Sequence, residues 1–137
     1  MSSRPILLDT CAALWLVDGL LDEKASRKIQ EAVSADVQIL VSPITAWEVG
    51  MLISKKRLTM SLPVLAWFNR LTELGVVRAE LSPEVLVAST ELRTDELRDP
   101  ADLIIAATAR AFNYRLMTRD RPLLGFAASG QVSAISC

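Results

Sequence analysis

Short, unbroken aliphatic runs constrain this chain more than any other feature. Ile6-Leu7-Leu8, Val37 to Val41 and Leu116-Met117-Thr118 show no regular alternation of apolar and polar residues, and Val76 to Leu81 is a further short strand segment, interrupted by Arg78 and Glu80. A strand with one wet face alternates with a period of two, so runs of this kind describe strands buried on both faces. Helix signals separate them. Cys11 to Val17 reads as helical. Asp22 stands as N-cap for a helix over Glu23 to Val33 that turns Ile29, Ala32 and Val33 inward. Ser42-Pro43 supplies a cap and a first-turn proline for a helix through Lys55. Ser61 starts a helix over Leu62 to Leu74, which Gly75 ends in the left-handed conformation. Ser82-Pro83 repeats the start signal for Pro83 to Leu92. Helices over Asp99 to Asn113 and Arg121 to Ala127 follow, then a last strand over Val132 to Ile135. Strands alternating with helices predict an α/β fold: a three-layer α/β/α sandwich around a central, mainly parallel sheet. No repeat or low-complexity tract divides the 137 residues, so one domain over residues 1–137 is expected.

Composition then narrows the chemistry. The chain has no histidine and two cysteines, Cys11 and Cys137. That excludes Ser-His-Asp and Cys-His catalysis, a histidine base, and a structural zinc built on Cys and His. Carboxylates are left as the groups to carry a reaction. Sixteen Asp+Glu against fifteen Lys+Arg give a net charge of −1, so an anionic substrate must be met by a local patch or a cation. No apolar run approaches the roughly 18 residues of a membrane span. Asp9 cuts short the first apolar run, so no secretory signal and a cytoplasmic setting are expected. A mean hydropathy of +0.32 is high for a small monomer and points to a self-association or partner face.

Four of the sixteen acids, Asp9, Glu48, Asp102 and Asp120, stand apart. Asp9 follows the first strand directly and Asp120 follows the strand at Leu116-Met117-Thr118, so both lie at strand carboxyl ends, where ligands gather in open α/β sheets. Read alone, each is a helix N-cap; Thr10 could cap in place of Asp9 and free its carboxylate. Glu48 has Ile44 and Leu52 four residues away and Thr45 and Met51 three away, an apolar stripe that disfavours an unpaired charge. Either its head reaches water or a cation holds it. Asp99 before Pro100 is a strong cap, and Asp102 three residues later suits the first turn while pointing along the face of Ile105 and Ala106. Carboxylates gathered at one sheet end repel unless a divalent cation reverses the sign. With oxygen ligands alone that cation is hard, Mg²⁺ or Mn²⁺, and such a site suits hydrolysis of phosphate esters.

Four segments in order carry a family resemblance: Leu7-Leu8-Asp9-Thr10, Ser42-Pro43-Ile44-Thr45-Ala46-Trp47-Glu48, Arg98-Asp99-Pro100-Ala101-Asp102 with Ile104 to Ala109, and Leu116-Met117-Thr118-Arg119-Asp120. Over nearly its whole length the chain resembles a PIN-domain ribonuclease of the VapC type, the toxin of a toxin–antitoxin pair. The resemblance implies a PIN-like sandwich with an acidic quartet on Asp9, Glu48, Asp102 and Asp120, and Asp99 as an assisting neighbour. It further implies RNA as substrate, Mg²⁺ as cofactor with Mn²⁺ as substitute, a 5′-phosphate product, a homodimer, and a cognate antitoxin as partner. Leu97 and Leu103 stand where relatives often carry histidine and arginine, which bears on substrate choice.

Other residues admit plainer readings. Thr10 and Thr118 are placed to hydrogen-bond the proposed ligands. Arg119 and Arg121 flank Asp120 as candidate RNA contacts, while Lys55-Lys56-Arg57 suits a helix C-terminus. Trp15, Trp47 and Trp67 sit among apolar neighbours as core or dimer packing, and Cys11 reads as a small buried thiol. Other function classes fit less well. An aspartyl-phosphate phosphatase wants an acid where Cys11 stands, and a phosphoacceptor receiver domain wants a lysine beyond residue 56. A catalytically inactive relative that only binds its antitoxin is the remaining alternative.

Overall fold

In the computed structural model, which describes residues 3–137, the aliphatic runs form strands and the capped segments form helices. Along the chain run β1 (Ile6–Leu8), α1 (Thr10–Asp18), α2 (Glu23–Ser34), β2 (Ile39–Val41), α3 (Ile44–Ser54) and α4 (Val64–Glu73). Then come β3 (Val77–Arg78), α5 (Pro83–Thr90), α6 (Pro100–Phe112), β4 (Arg115–Thr118), α7 (Arg121–Ala128) and β5 (Ser133–Ser136). The five strands form one sheet in the order β3-β2-β1-β4-β5, and every pairing is parallel.

Side chains leave a strand on alternate faces, so each buried triplet feeds two cores. Ile6, Leu8, Ile39, Val41 and Met117 join Ala12, Val49, Trp67, Phe68 and Leu71 on the side of α1 to α4. Leu7, Leu40 and Leu116 join Leu103, Ile105, Ala106 and Leu123 on the side of α6 and α7, with α5 packed on α6. These are the three layers expected. Both faces are dry, which is why β1, β2 and β4 are buried at every position.

Several boundaries differ from expectation for local reasons. Val37 falls outside β2 because its N–H returns to the Ala32 carbonyl at 2.8 Å, closing the end of α2. Val77 and Arg78 alone form β3, and as an edge strand both are exposed, so the buried reading fails there. Ser61 does not start α4: Pro63 is extended at ψ 145° and the helix begins after it. Ser42 does not cap α3 in the expected register; its Oγ accepts from Ile44 N at 3.2 Å and the helix opens at Ile44. Val33 is 62% exposed, because the inward stripe of α2 runs through Ala25, Ile29 and Ala32 and leaves it on the flank.

The chain order creates a switch point. From β1 it builds outward to β2 and β3, then returns to add β4 and β5 on the other side of β1. The loops after β1 and β4 diverge there, leaving a crevice at the carboxyl end of the sheet.

Candidate metal centre

Asp9 and Asp120 leave β1 and β4 at that crevice, and one hydroxyl ties them together. Thr118 Oγ1 donates to Asp9 Oδ2 at 2.5 Å and accepts from the Asp120 backbone N–H at 2.9 Å. Asp9 caps α1, with Oδ1 accepting from Ala12 N at 2.8 Å, so Thr10 does not take the cap. The Thr10 hydroxyl instead pairs with Thr45 Oγ1 at 3.2 Å, fastening α1 to α3. Asp120 caps α7 through Oδ2 and Leu123 N at 3.2 Å.

The other acids arrive on helices. Glu48 lies in the second turn of α3, half-buried, and α3 packs against α6. Asp99 caps α6, its Oδ1 accepting from Asp102 N at 3.1 Å. Glu48, Asp99 and Asp102 each present a carboxylate oxygen, and these oxygens lie within 4.8 Å of one another. Ligand oxygens on opposite sides of a six-coordinate Mg²⁺ stand about 4 Å apart, so small side-chain rotations bring this set to one ion. The donors are all oxygen, which fits a hard cation.

The electrostatics agree. Burial, then the charges of Asp120, Asp99, Glu48 and Asp9, push the Asp102 carboxyl up to about 8. Burial raises Asp9 to about 6 against the opposing Thr118 and Ala12 hydrogen bonds, with Asp120 adding to the rise. Burial also raises Glu48, opposed by the Thr10 hydroxyl and reinforced by Asp99, Asp9 and Asp120. Among the described residues the ion pairs are Arg27–Glu23, Lys28–Glu31 and Arg70–Glu73, so none of these acids is held in one.

The neighbours of the cluster separate into two kinds. Arg119 is committed elsewhere: its Nε donates to the Cys137 carbonyl at 3.0 Å and its guanidinium lies 3.9 Å over the Trp15 ring. Arg121 is exposed in the first turn of α7. Cys11 is exposed on α1 rather than buried, because its side chain leaves the helix on the groove side. Desolvation there and the charges of Asp9, Glu48, Asp120 and Asp102 still push its thiol up to about 11, far from a nucleophile's range. Trp67 is buried in the core as expected, whereas Trp47 beside Glu48 is 51% exposed. Asp99 is more central than its sequence reading as a cap suggested. The signal was present in its spacing of three from Asp102, which places both acids on the first turn of one helix.

Comparison with known proteins follows the same pattern. The PIN-domain family model matches residues 6–127. The chain is 30% identical over 118 residues to Ribonuclease VapC22 of Mycobacterium tuberculosis, covering 86% of this chain and 88% of that protein. Solved structures share the fold, two of them as follows. VapBC2 from Rickettsia felis, bound to a promoter DNA fragment, superposes with TM-score 0.68 at 18% identity, covering 96% of this chain and 98% of the other. FitAcB from Neisseria gonorrhoeae gives 0.55 at 21% identity, with 95% and 96% covered.

Proposed function

The chain belongs to the PIN-domain family, in its VapC-type branch, and from that premise we propose that it is a Mg²⁺-dependent endoribonuclease acting as the cytoplasmic toxin of a toxin–antitoxin pair. The observation that carries the reading is the approach of the Glu48, Asp99 and Asp102 oxygens within 4.8 Å. No protein cation among the described residues forms an ion pair with them, and the charges of Asp9 and Asp120 act on Glu48 and Asp102. This reading replaces the receiver-like alternative.

Asp9, Glu48, Asp102 and Asp120 would hold Mg²⁺, or Mn²⁺ in its place, with Asp99 assisting. When bound, the ion lowers the pKa of a coordinated water and neutralises charge developing on the phosphate. The chain's own residues aim that chemistry. Thr118 fixes Asp9 Oδ2 and the backbone of Asp120 at once, so the strand-end acids move as a unit. Thr10, through Thr45, holds α3 and therefore Glu48 against α1. In the reaction, water oxygen bonds to phosphorus as the P–O3′ bond breaks, leaving a 3′-hydroxyl and a 5′-phosphate.

An antitoxin is the expected protein partner, as in the VapBC-type complexes of the structural relatives. A homodimer is expected through exposed apolar residues such as Leu86 and Val87 on α5 and Phe112 on α6. Val87→Glu should then yield monomers in sedimentation; an unchanged mass removes this face from the interface. The central test incubates the protein with labelled single-stranded RNA and Mg²⁺, Mn²⁺ or chelator, alongside Asp9→Asn. Cleavage that requires the ion and fails in the variant is expected. Cleavage surviving both chelator and substitution overturns the mechanism. Absence of cleavage with no growth arrest on expression leaves a protein that only binds antitoxin.

A further inference from the structure

A cleft of about 470 Å³ opens beside the acidic crevice, with Leu97, Pro122 and Phe126 as its apolar walls and Glu96 and Arg121 at its margin. Both walls run directly into the acidic cluster. Arg121 and Pro122 follow Asp120 in the first turn of α7, and Leu97 lies two residues before Asp99. The volume is in the range of small-ligand sites. Leu97, 2% exposed, gives it a fixed floor, held by a turn in which Thr94 Oγ1 accepts from Leu97 N at 2.9 Å. The Ser129 hydroxyl is likewise engaged, donating to the Phe126 carbonyl at 2.6 Å. That leaves the Glu96 carboxylate and the Arg121 guanidinium as the charged groups of the cleft, neither of them in an ion pair among the described residues.

This combination selects an occupant. A purely apolar side chain would cover the walls but make no use of the charges that Glu96 and Arg121, both exposed, bring to the cleft. A nucleobase satisfies both, since unstacked RNA bases lie against aromatic faces and are read along their Watson–Crick edges. Along that edge guanine alone carries two adjacent donors, the ring N1–H and the exocyclic amino group. A carboxylate offers two acceptors and no donor. Arg121 then meets the phosphate of the same nucleotide. We propose that the cleft is a specificity site for guanine in the single-stranded RNA substrate, with Phe126 and Pro122 against the base, Glu96 on its Watson–Crick edge and Arg121 on its phosphate. The proposal rests on the ribonuclease reading and places a guanine close to the cut.

The test is cleavage of a random-sequence single-stranded RNA pool by the intact protein with Mg²⁺, sequencing the product ends for the native chain, Glu96→Gln and Phe126→Leu. Native products should be enriched in guanine at one position beside the cut. Glutamine offers one acceptor and one donor, so Glu96→Gln should lower that enrichment by about tenfold, the scale of a lost bidentate contact. It should still cleave the pool. Phe126→Leu keeps the apolar volume and should slow cleavage of guanine-containing RNAs several-fold with its melting temperature little changed. Native products without guanine enrichment, or enrichment unchanged by Glu96→Gln, overturn the proposal. Intact base preference with weakened antitoxin binding in these variants overturns it in favour of a protein occupant. Absence of any cleavage by the native chain overturns the ribonuclease reading and this site with it, so the two failures are distinguishable.

Discussion

Raising the pH from 4 to 8 in the presence of chelator should destabilise this protein, and Mg²⁺ should suppress most of that loss. The unfolded chain releases the Asp9 proton at the ordinary value of 3.8, whereas the folded chain holds it to about 6. Below 3.8 both states are protonated and Asp9 contributes nothing. Between the two values the native state binds more protons than the unfolded one, so unfolding free energy falls as pH rises. Asp9 is 3% exposed, and the difference corresponds to about 3 kcal/mol once the pH has passed 6. Asp102, held up to about 8, extends the decline beyond the Asp9 window. For a chain of this size 1 kcal/mol moves the midpoint by roughly 3–5 °C, so Asp9 alone implies a fall on the order of 10 °C. Calorimetric melts at pH 4, 5, 6, 7 and 8, with chelator and with Mg²⁺, measure it. The chelator curve should descend across the series and the Mg²⁺ curve should stay nearly level above pH 6. Superimposable curves, or stability that rises with pH in chelator, would refute the view that these acids are buried together in wait for a cation.

Asp102→Asn should raise the chelator-state melting temperature at pH 8 while lowering RNA cleavage at least a hundredfold; a parallel loss of both would instead mark Asp102 as structural. Thr118→Val removes the bond that lowers the Asp9 carboxyl and aims it, so cleavage should fall ten- to a hundredfold, read as kcat against Mg²⁺ concentration. Full activity at ordinary Mg²⁺ would rule out that positioning role. Arg119→Ala should cost about 1 kcal/mol in urea denaturation through lost contact with Trp15 and the Cys137 carbonyl, with little change in RNA affinity. A selective loss of RNA binding at unchanged stability would return Arg119 to the substrate site.

Where residues decide their structure locally, the fold was legible. The Asp22, Ser82, Asp99 and Asp120 caps each accept the N–H three residues on, and Asn113 and Gly75 take left-handed φ at the ends of their helices. Misreadings came where tertiary position decides. Val76 to Leu81 reads with the central strands although Arg78 and Glu80 alternate with its apolar residues; it lies at the sheet edge with only β2 to pair, and two residues suffice. Arg119 carries no sequence sign that Trp15, over a hundred residues earlier, will take its guanidinium. Glu96, Arg121 and Phe126 meet only because α7 folds back on the turn before α6, so no motif announces their cleft.

The candidate site poses a sharper case, because capping and catalysis compete for the same acids in any reading of the sequence. They do not compete in space. A carboxylate has two oxygens, and a helix cap uses one. Asp9 caps with Oδ1 and meets Thr118 with Oδ2; Asp99 caps with Oδ1; Asp120 caps with Oδ2. Three helix N-termini therefore point into the crevice, each bringing the positive end of its dipole toward a cluster of negative charge. That field partly offsets the burial and the mutual repulsion that raise Asp9 and Asp102, which lets five acids share one crevice in a folded chain. Capping is thus the means by which the strand-to-helix turns hold their acids at the sheet end, and it leaves the second oxygens of Asp99 and Asp120, and the second lone pair of Asp9 Oδ2 beside its Thr118 hydrogen bond, uncommitted within the chain.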